Sequence, residues 1–132
     1  MNPSNIQNLQ ESLQARVTKL GIDQIHRHLF LCADQTKPIC CSKAISIDSW
    51  NYLKSRLQEL NLETQIFRTK ANCLRVCEHG PILVVYPDRI WYHSVTIPVI
   101  ERILQEHIIG GQVVQEFAFW GDTSTSKTLE IF

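Results

Sequence analysis

Nowhere in its 132 residues does this chain hold an apolar run long enough to cross a bilayer. Nor has it an excess of either charge: 13 lysines and arginines meet 13 aspartates and glutamates. No basic field is present to recruit nucleic acid, and Lys54, Arg56, Arg68, Lys70 and Arg75 read as scattered, solvated faces. The opening residues Met1 to Asn5 are polar and carry no signal-like apolar region. A phosphate-binding glycine loop, paired carboxylates and a nucleophile–base pair are all missing, which argues against an enzyme. No internal repeat or second domain stands out. These absences describe a soluble, cytoplasmic protein of one domain, long enough for a real core without staples.

Cysteine is what the chain does have, at Cys32, Cys40, Cys41, Cys73 and Cys77. In a reducing compartment these are poor candidates for disulfides, and their clustering favours metal binding. The stretch from Asn72 to Pro87 organises the rest. Its second half, Ile82 to Tyr86, is an almost wholly apolar, partly β-branched run that reads as a buried strand. Its first half is a loop carrying Cys73 and Cys77, closed by Gly80 and Pro81.

In chain order, Ser4 is placed to cap a helix whose apolar positions Ile6, Leu9, Leu13, Val17 and Leu20 repeat at helical spacing, with Gly21 as its left-handed stop. This helix, residues 1–21, reads as an extension packed on the domain's own surface; an interface for a partner or a second copy is the sharper alternative, so a homodimer stays open. Residues 22–120 form the domain proper, and 121–132 a flexible Ser/Thr-rich tail. His26 to Cys32 is a strand candidate. After a loop holding Cys40 and Cys41, a helix capped by Ser46 or Asp48 turns Trp50, Leu53, Leu57 and Leu60 to one face and stops at Asn61. Thr64 to Thr69 is the second strand, completing a βαβ unit. Beyond Ile82 to Tyr86, a turn at Pro87, Asp88 and Arg89 leads into an antiparallel strand, Ile90 to Val95. A last helix follows, capped by Thr96, lined by Ile100, Ile103, Leu104 and Ile108 and ended by Gly110 and Gly111. Val113 to Trp120 is either a short extra strand or an extended arm.

The order βαβ then ββα is the thioredoxin-like α/β layout, a mixed four-stranded sheet flanked by helices. Parallel neighbours end at the same sheet edge, so Cys32 and the loop of Cys73 and Cys77 should converge there. Four thiols admit three readings. Structural zinc takes thiolates from short knuckles; Cys73 and Cys77 form one, whereas Cys32 and Cys41 are too far apart for a second. A thiol-redox site would want C-x-x-C after the first strand, which the chain does not have. A 2Fe–2S cluster spreads its thiolates over two irons and tolerates wider, unequal spacing. Because neighbouring side chains on an extended loop point apart, only one of Cys40 and Cys41 reaches an iron that Cys32 also holds.

Cys32, Cys40 and Cys41, then Cys73, Cys77, Gly80, Pro81 and the Val-Tyr-Pro run to Pro87, followed by Trp91, Tyr92, Val95 and Thr96, resemble the thioredoxin-like 2Fe–2S ferredoxins over about residues 26 to 118. The resemblance implies a one-electron carrier that serves redox partner proteins through a bound 2Fe–2S cluster. Its ligands would be Cys32, Cys41, Cys73 and Cys77, Cys41 being the last cysteine before the polar lead into the helix. The small 2Fe–2S subunit of respiratory complex I shares this fold, so a subunit role in a larger redox complex is the related alternative. The chain departs from the family in having Arg89 where glycine is usual, in a short loop between the first two cysteines, and in its first helix. Arg75, between two ligands, is the cation nearest the site. His79 reads as a surface or supporting residue rather than a ligand, and Trp91 and Tyr92 as strand packing.

Overall fold

The run that follows the first helix forms strand β1 (Arg27–Cys32), alternating so that Leu29 and Leu31 face a core in which both are fully buried. It is an interior strand in the sheet of a computed structural model that describes residues 3–39, 41–76 and 78–122. Helix α1 (Pro3–Leu20) and a single 3-10 turn (Ile22–Gln24) precede it, joined through Gly21 at φ 76. Helix α2 (Lys43–Glu59), β2 (Ile66–Ala71), β3 (Leu83–Tyr86) and β4 (Ile90–Tyr92) follow. Helix α3 (Ile97–Arg102) continues into a wider π-type segment (Ile103–Ile109), and β5 (Ala118–Trp120) closes the described chain.

The sheet order is β2-β1-β3-β4-β5, with β1 parallel to β2 and every other pair antiparallel. The mixed thioredoxin-like architecture expected from the sequence is present. The fifth strand is the short one that Val113 to Trp120 allowed, and it pairs Trp120 with Trp91. On one sheet face Leu29, Leu31, Leu83, Val85, Ile90 and Tyr92 pack against Leu53 and Leu57 of α2 and against Ile100, Ile103, Leu104 and Ile108. Each aliphatic side chain so buried contributes about 1.5–3 kcal/mol. The two helices are tied by Glu101, whose carboxylate accepts from Arg56 Nε at 2.8 Å and Tyr52 Oη at 2.7 Å.

Several boundaries differ from the sequence reading, each for a physical reason. Helix α2 is capped by Ser42, whose Oγ accepts from the Ile45 N–H at 3.2 Å, not by Ser46 or Asp48. Ser46 lies inside the helix, fully buried, and its hydroxyl donates to Gln35 Oε1 at 2.9 Å. Strand β2 starts at Ile66 rather than Thr64 because Gln65 and Ile66 both donate to the Leu62 carbonyl, which makes residues 62–66 a turn. Strand β4 ends at Tyr92 because Ser94, at φ 54, turns its backbone out of the sheet. Helix α1 begins at Pro3, so Ser4 lies within it. Its apolar stripe is not packed on the domain: Ile6, Leu9, Leu13 and Leu20 are all exposed. The surface-packed reading of this helix is thereby overturned. No helix among the described residues is long and apolar enough to cross a membrane. Of the tail, residues 123–132 lie outside the described residues.

Asn61 and Arg89 adopt the left-handed conformations their positions suggested, at φ 57 and φ 59. For Arg89 that costs roughly 1 kcal/mol against glycine, partly offset by glycine's larger unfolded-state entropy. Arg89→Gly should therefore leave the melting temperature unchanged or raise it by a few degrees; a clear fall in thermal denaturation would show that the arginine side chain stabilises the turn.

Candidate functional site

Cys32 ends β1 and stands opposite Ala71, the last residue of the parallel strand β2. Two residues past Ala71 comes Cys73, so the register alone brings both to one sheet edge. Cys32 is buried and locked to Ile82 in both directions: its N–H donates to the Ile82 carbonyl at 3.0 Å, and the Ile82 N–H donates to its Sγ at 3.0 Å. Cys73 is exposed, and its Sγ accepts the Arg75 N–H at 3.1 Å. That contact depends on Arg75 at φ 71, which turns the loop back over the sulfur. Cys32 and Cys73 line one small pocket together with Gln35, Asn72, Leu74 and Val76.

Cys41 immediately precedes Ser42, the N-cap of α2, and is half-buried. Its Sγ lies 3.8 Å from Gln35 Nε2, and Gln35 is one of the residues lining the pocket of Cys32 and Cys73. Cys32 and Cys73 therefore share one pocket at this edge, Cys41 reaches it through Gln35, and none of the three forms a disulfide with another described cysteine. Cys77, the fourth, and Cys40, the alternative to Cys41, lie outside the described residues.

The loops are held by contacts that the sequence gave no reason to single out. Asn72 Oδ1 accepts from the Thr36 N–H at 3.1 Å while its Nδ2 donates to Thr36 Oγ1 at 2.7 Å, stapling the loop before Cys41 to the exit of β2. Asp34 joins both sides of that staple, with Lys43 and Lys70 each at 3.3 Å; hydrogen bonds and attraction from these two ammonium groups hold its carboxyl below the usual range. Behind Cys73, the Ser94 N–H donates to the His79 carbonyl at 2.7 Å and the Val95 N–H to the Pro81 carbonyl at 2.9 Å. The residues lost from the expected end of β4 thus clamp the cysteine loop.

Backbone N–H groups aimed at Sγ atoms stabilise thiolate charge, and the start of α2 directly after Cys41 adds the positive end of a helix dipole. Among the described residues no three His, Cys, Asp or Glu side chains gather to hold one metal ion. Two irons sharing four thiolates do not require three on one ion, so the donors present fit a binuclear cluster. Arg75 is exposed beside Cys73. His79 is exposed too and lines a separate pocket with Glu78, Ile82, His93 and Phe119, not that of Cys32 and Cys73. Trp91 is half-buried, edge-on to Phe119, and Tyr92 is fully buried.

At the opposite end of β1 lies a buried polar chain that the sequence reading missed. Arg27 Nε donates to Asp88 at 3.1 Å, His107 Nε2 donates to Asp88 Oδ2 at 2.7 Å, and Tyr92 Oη donates to His107 Nδ1 at 2.8 Å. The Val114 N–H closes it by donating to Tyr92 Oη at 3.1 Å. The signal in the sequence was a single histidine on the apolar face made by Ile103, Leu104 and Ile108.

No family model matches the chain. It is 31% identical over 93 residues to a 2Fe-2S ferredoxin of Clostridium pasteurianum, covering 67% of this chain and 90% of that one. To a putative 2Fe-2S ferredoxin of Priestia megaterium it is 28% identical over 100 residues, covering 76% of this chain and 75% of the relative. Among solved structures, a thioredoxin-like [2Fe-2S] ferredoxin from Aquifex aeolicus superposes with a TM-score of 0.67 at 25% identity, covering 76% of this chain and 96% of the other.

Proposed function

The chain belongs to the 2Fe–2S ferredoxin family, and from that membership we propose that it carries electrons one at a time on a cluster held by Cys32, Cys41, Cys73 and Cys77. The bound cluster supplies the redox chemistry, taking up and returning a single electron. The protein supplies everything else. Cys32, rigid between Ile82 N–H and carbonyl, anchors the buried side of the site. Cys73, on an exposed loop, gives the side nearest solvent, where partner proteins dock. The Arg75 and Ile82 N–H groups at the sulfurs raise the potential by stabilising added negative charge. Arg75 itself offers a cation to an acidic partner surface.

The observation that carries this reading is the joint placement of Cys32 and Cys73 in one pocket, each sulfur accepting a backbone N–H. An anaerobic reductive titration of the purified protein tests it. Uptake of one electron per chain with bleaching of a visible band is expected. A chain that takes up two electrons with no visible change is a dithiol–disulfide couple, and the reading fails.

A further inference from the structure

We propose that Gln35 sets the redox potential of this centre: its buried amide, aimed by Ser46, donates to the Cys41 sulfur and favours the reduced state. The inference rests on the reading that Cys41 holds the cluster as a thiolate. Gln35 is 3% exposed and Ser46 fully buried, so the amide is shut away from water, just beyond Cys32 in the chain. Both ends of that amide are placed. Its Oε1 accepts the Ser46 hydroxyl at 2.9 Å, and its Nε2 donates to Cys41 Sγ at 3.8 Å. The serine is fixed in turn by the Asp34 N–H, which donates to its Oγ at 3.3 Å, and by its place in the first turn of α2. A flip of the amide would turn its oxygen toward the sulfur, so the hydroxyl at the carbonyl end keeps the donor on Cys41.

A neutral thiol is a weak acceptor, and hydrogen bonds to an ionised acceptor are the strong ones. A buried amide aimed at sulfur is therefore well matched when that sulfur is charged. The electron taken up adds negative charge that the sulfurs share. A donor at one of them gains more in the reduced state than in the oxidised one, and so raises the potential. The low polarity around a buried side chain strengthens the effect. The Ile82 and Arg75 N–H groups, which also reach cysteine sulfurs, are backbone donors that other residues at those positions would provide as well. Gln35 differs because its donor belongs to a side chain, so the residue type at this position decides the potential. Lys43 and Lys70 do not supply the charge in its place, since Asp34 pairs with each at 3.3 Å.

Potentiometric titration of the full-length, cluster-loaded protein tests the proposal. Gln35→Met, similar in length but without a donor, should keep the iron content and the visible band. Its reduction equilibrium against a reference dye should fall about tenfold, or 59 mV for a one-electron couple. Ser46→Ala leaves the amide present but frees its carbonyl end, and should lower the potential in the same direction by a smaller amount. The double variant should match Gln35→Met alone, because the serine acts only through the amide. The proposal is overturned if either single variant, loaded with cluster, keeps the parent's potential, or if the two shifts simply add. Should Gln35→Met fail to load, the potential of Ser46→Ala decides. A parent without one-electron bleaching removes the electron-carrier reading and this inference with it, whereas loaded variants at the parent's potential remove this inference alone.

Discussion

Cys41→Ser is expected to lose the cluster or to shift its visible and EPR spectra strongly, while Cys40→Ser leaves both unchanged. The two positions are neighbours in sequence, and the contacts of Cys41 support it as the ligand. Cys41 sits directly before the Ser42 N-cap, so the first turn of α2 fixes its backbone. Its sulfur is within reach of Gln35 Nε2 at 3.8 Å, and Gln35 in turn is held by the buried Ser46 hydroxyl at 2.9 Å. Because Gln35 also lines the pocket of Cys32 and Cys73, the Cys41 thiol is one contact away from the other donors. A serine alkoxide there is a harder ligand than a thiolate and suits iron–sulfur chemistry poorly. Cys32→Ser and Cys73→Ser should behave like Cys41→Ser. The reverse pattern at 40 and 41 would hand the role to Cys40, and loss in neither would mean that the two thiols substitute for one another.

Asp88→Ala should cost about 3–5 kcal/mol of stability, because it strands the buried His107 ring and the part-buried Arg27 guanidinium at once. The Asp88 side chain is 3% exposed and that of Arg27 14%. Removing the carboxylate leaves the guanidinium and His107 Nε2 without their acceptor, and the melting temperature should fall by about 10 °C or more. Asp88→Asn, which keeps one oxygen, should lose less. The wild-type network also has a defined pH dependence. Burial raises the Asp88 carboxyl, but the His107 hydrogen bond and the Arg27 charge outweigh it, so the group sits below the usual carboxylate range when folded. Its contribution is therefore complete above a pH of about 4 and is lost as pH falls through the depressed value. Melts against pH should show an acid-side loss in the parent that is smaller in Asp88→Ala. The visible spectrum should be unaffected, since Asp88 pairs with the first residue of β1 and Cys32 is the last. A melting temperature within a degree or two of the parent would mean that the network contributes little.

Much of this was legible in the sequence where the cause is local or carried by a pattern. The apolar run Leu29 to Leu31 and the terminal Cys32 marked β1. The βαβ order then fixed that Cys32 and Cys73 would share an edge, and the register of Cys32 with Ala71 agrees. Left-handed Asn61 and Arg89 were readable because each stands where a helix or hairpin must turn. What escaped was decided by contacts between distant positions. Ser42, Ser46 and Asp48 are equally good caps by type, and the choice rests on Gln35 taking the Ser46 hydroxyl. The run Ile90 to Val95 looked continuous, but its end belongs to the loop at His79 and Pro81. Periodicity showed that α1 has an apolar face without showing what covers it. Asp88 and His107 are 19 residues apart, and only the fold brings them to 2.7 Å.

The measurement that tests the central claim most directly is metal and sulfide analysis of the anaerobically purified protein, paired with EPR before and after dithionite. Two irons and two acid-labile sulfides per chain are expected, in a brown protein that is EPR-silent when oxidised and gives a single paramagnetic signal on reduction. A colourless protein holding one zinc per chain, with no sulfide and no signal in either state, would contradict it.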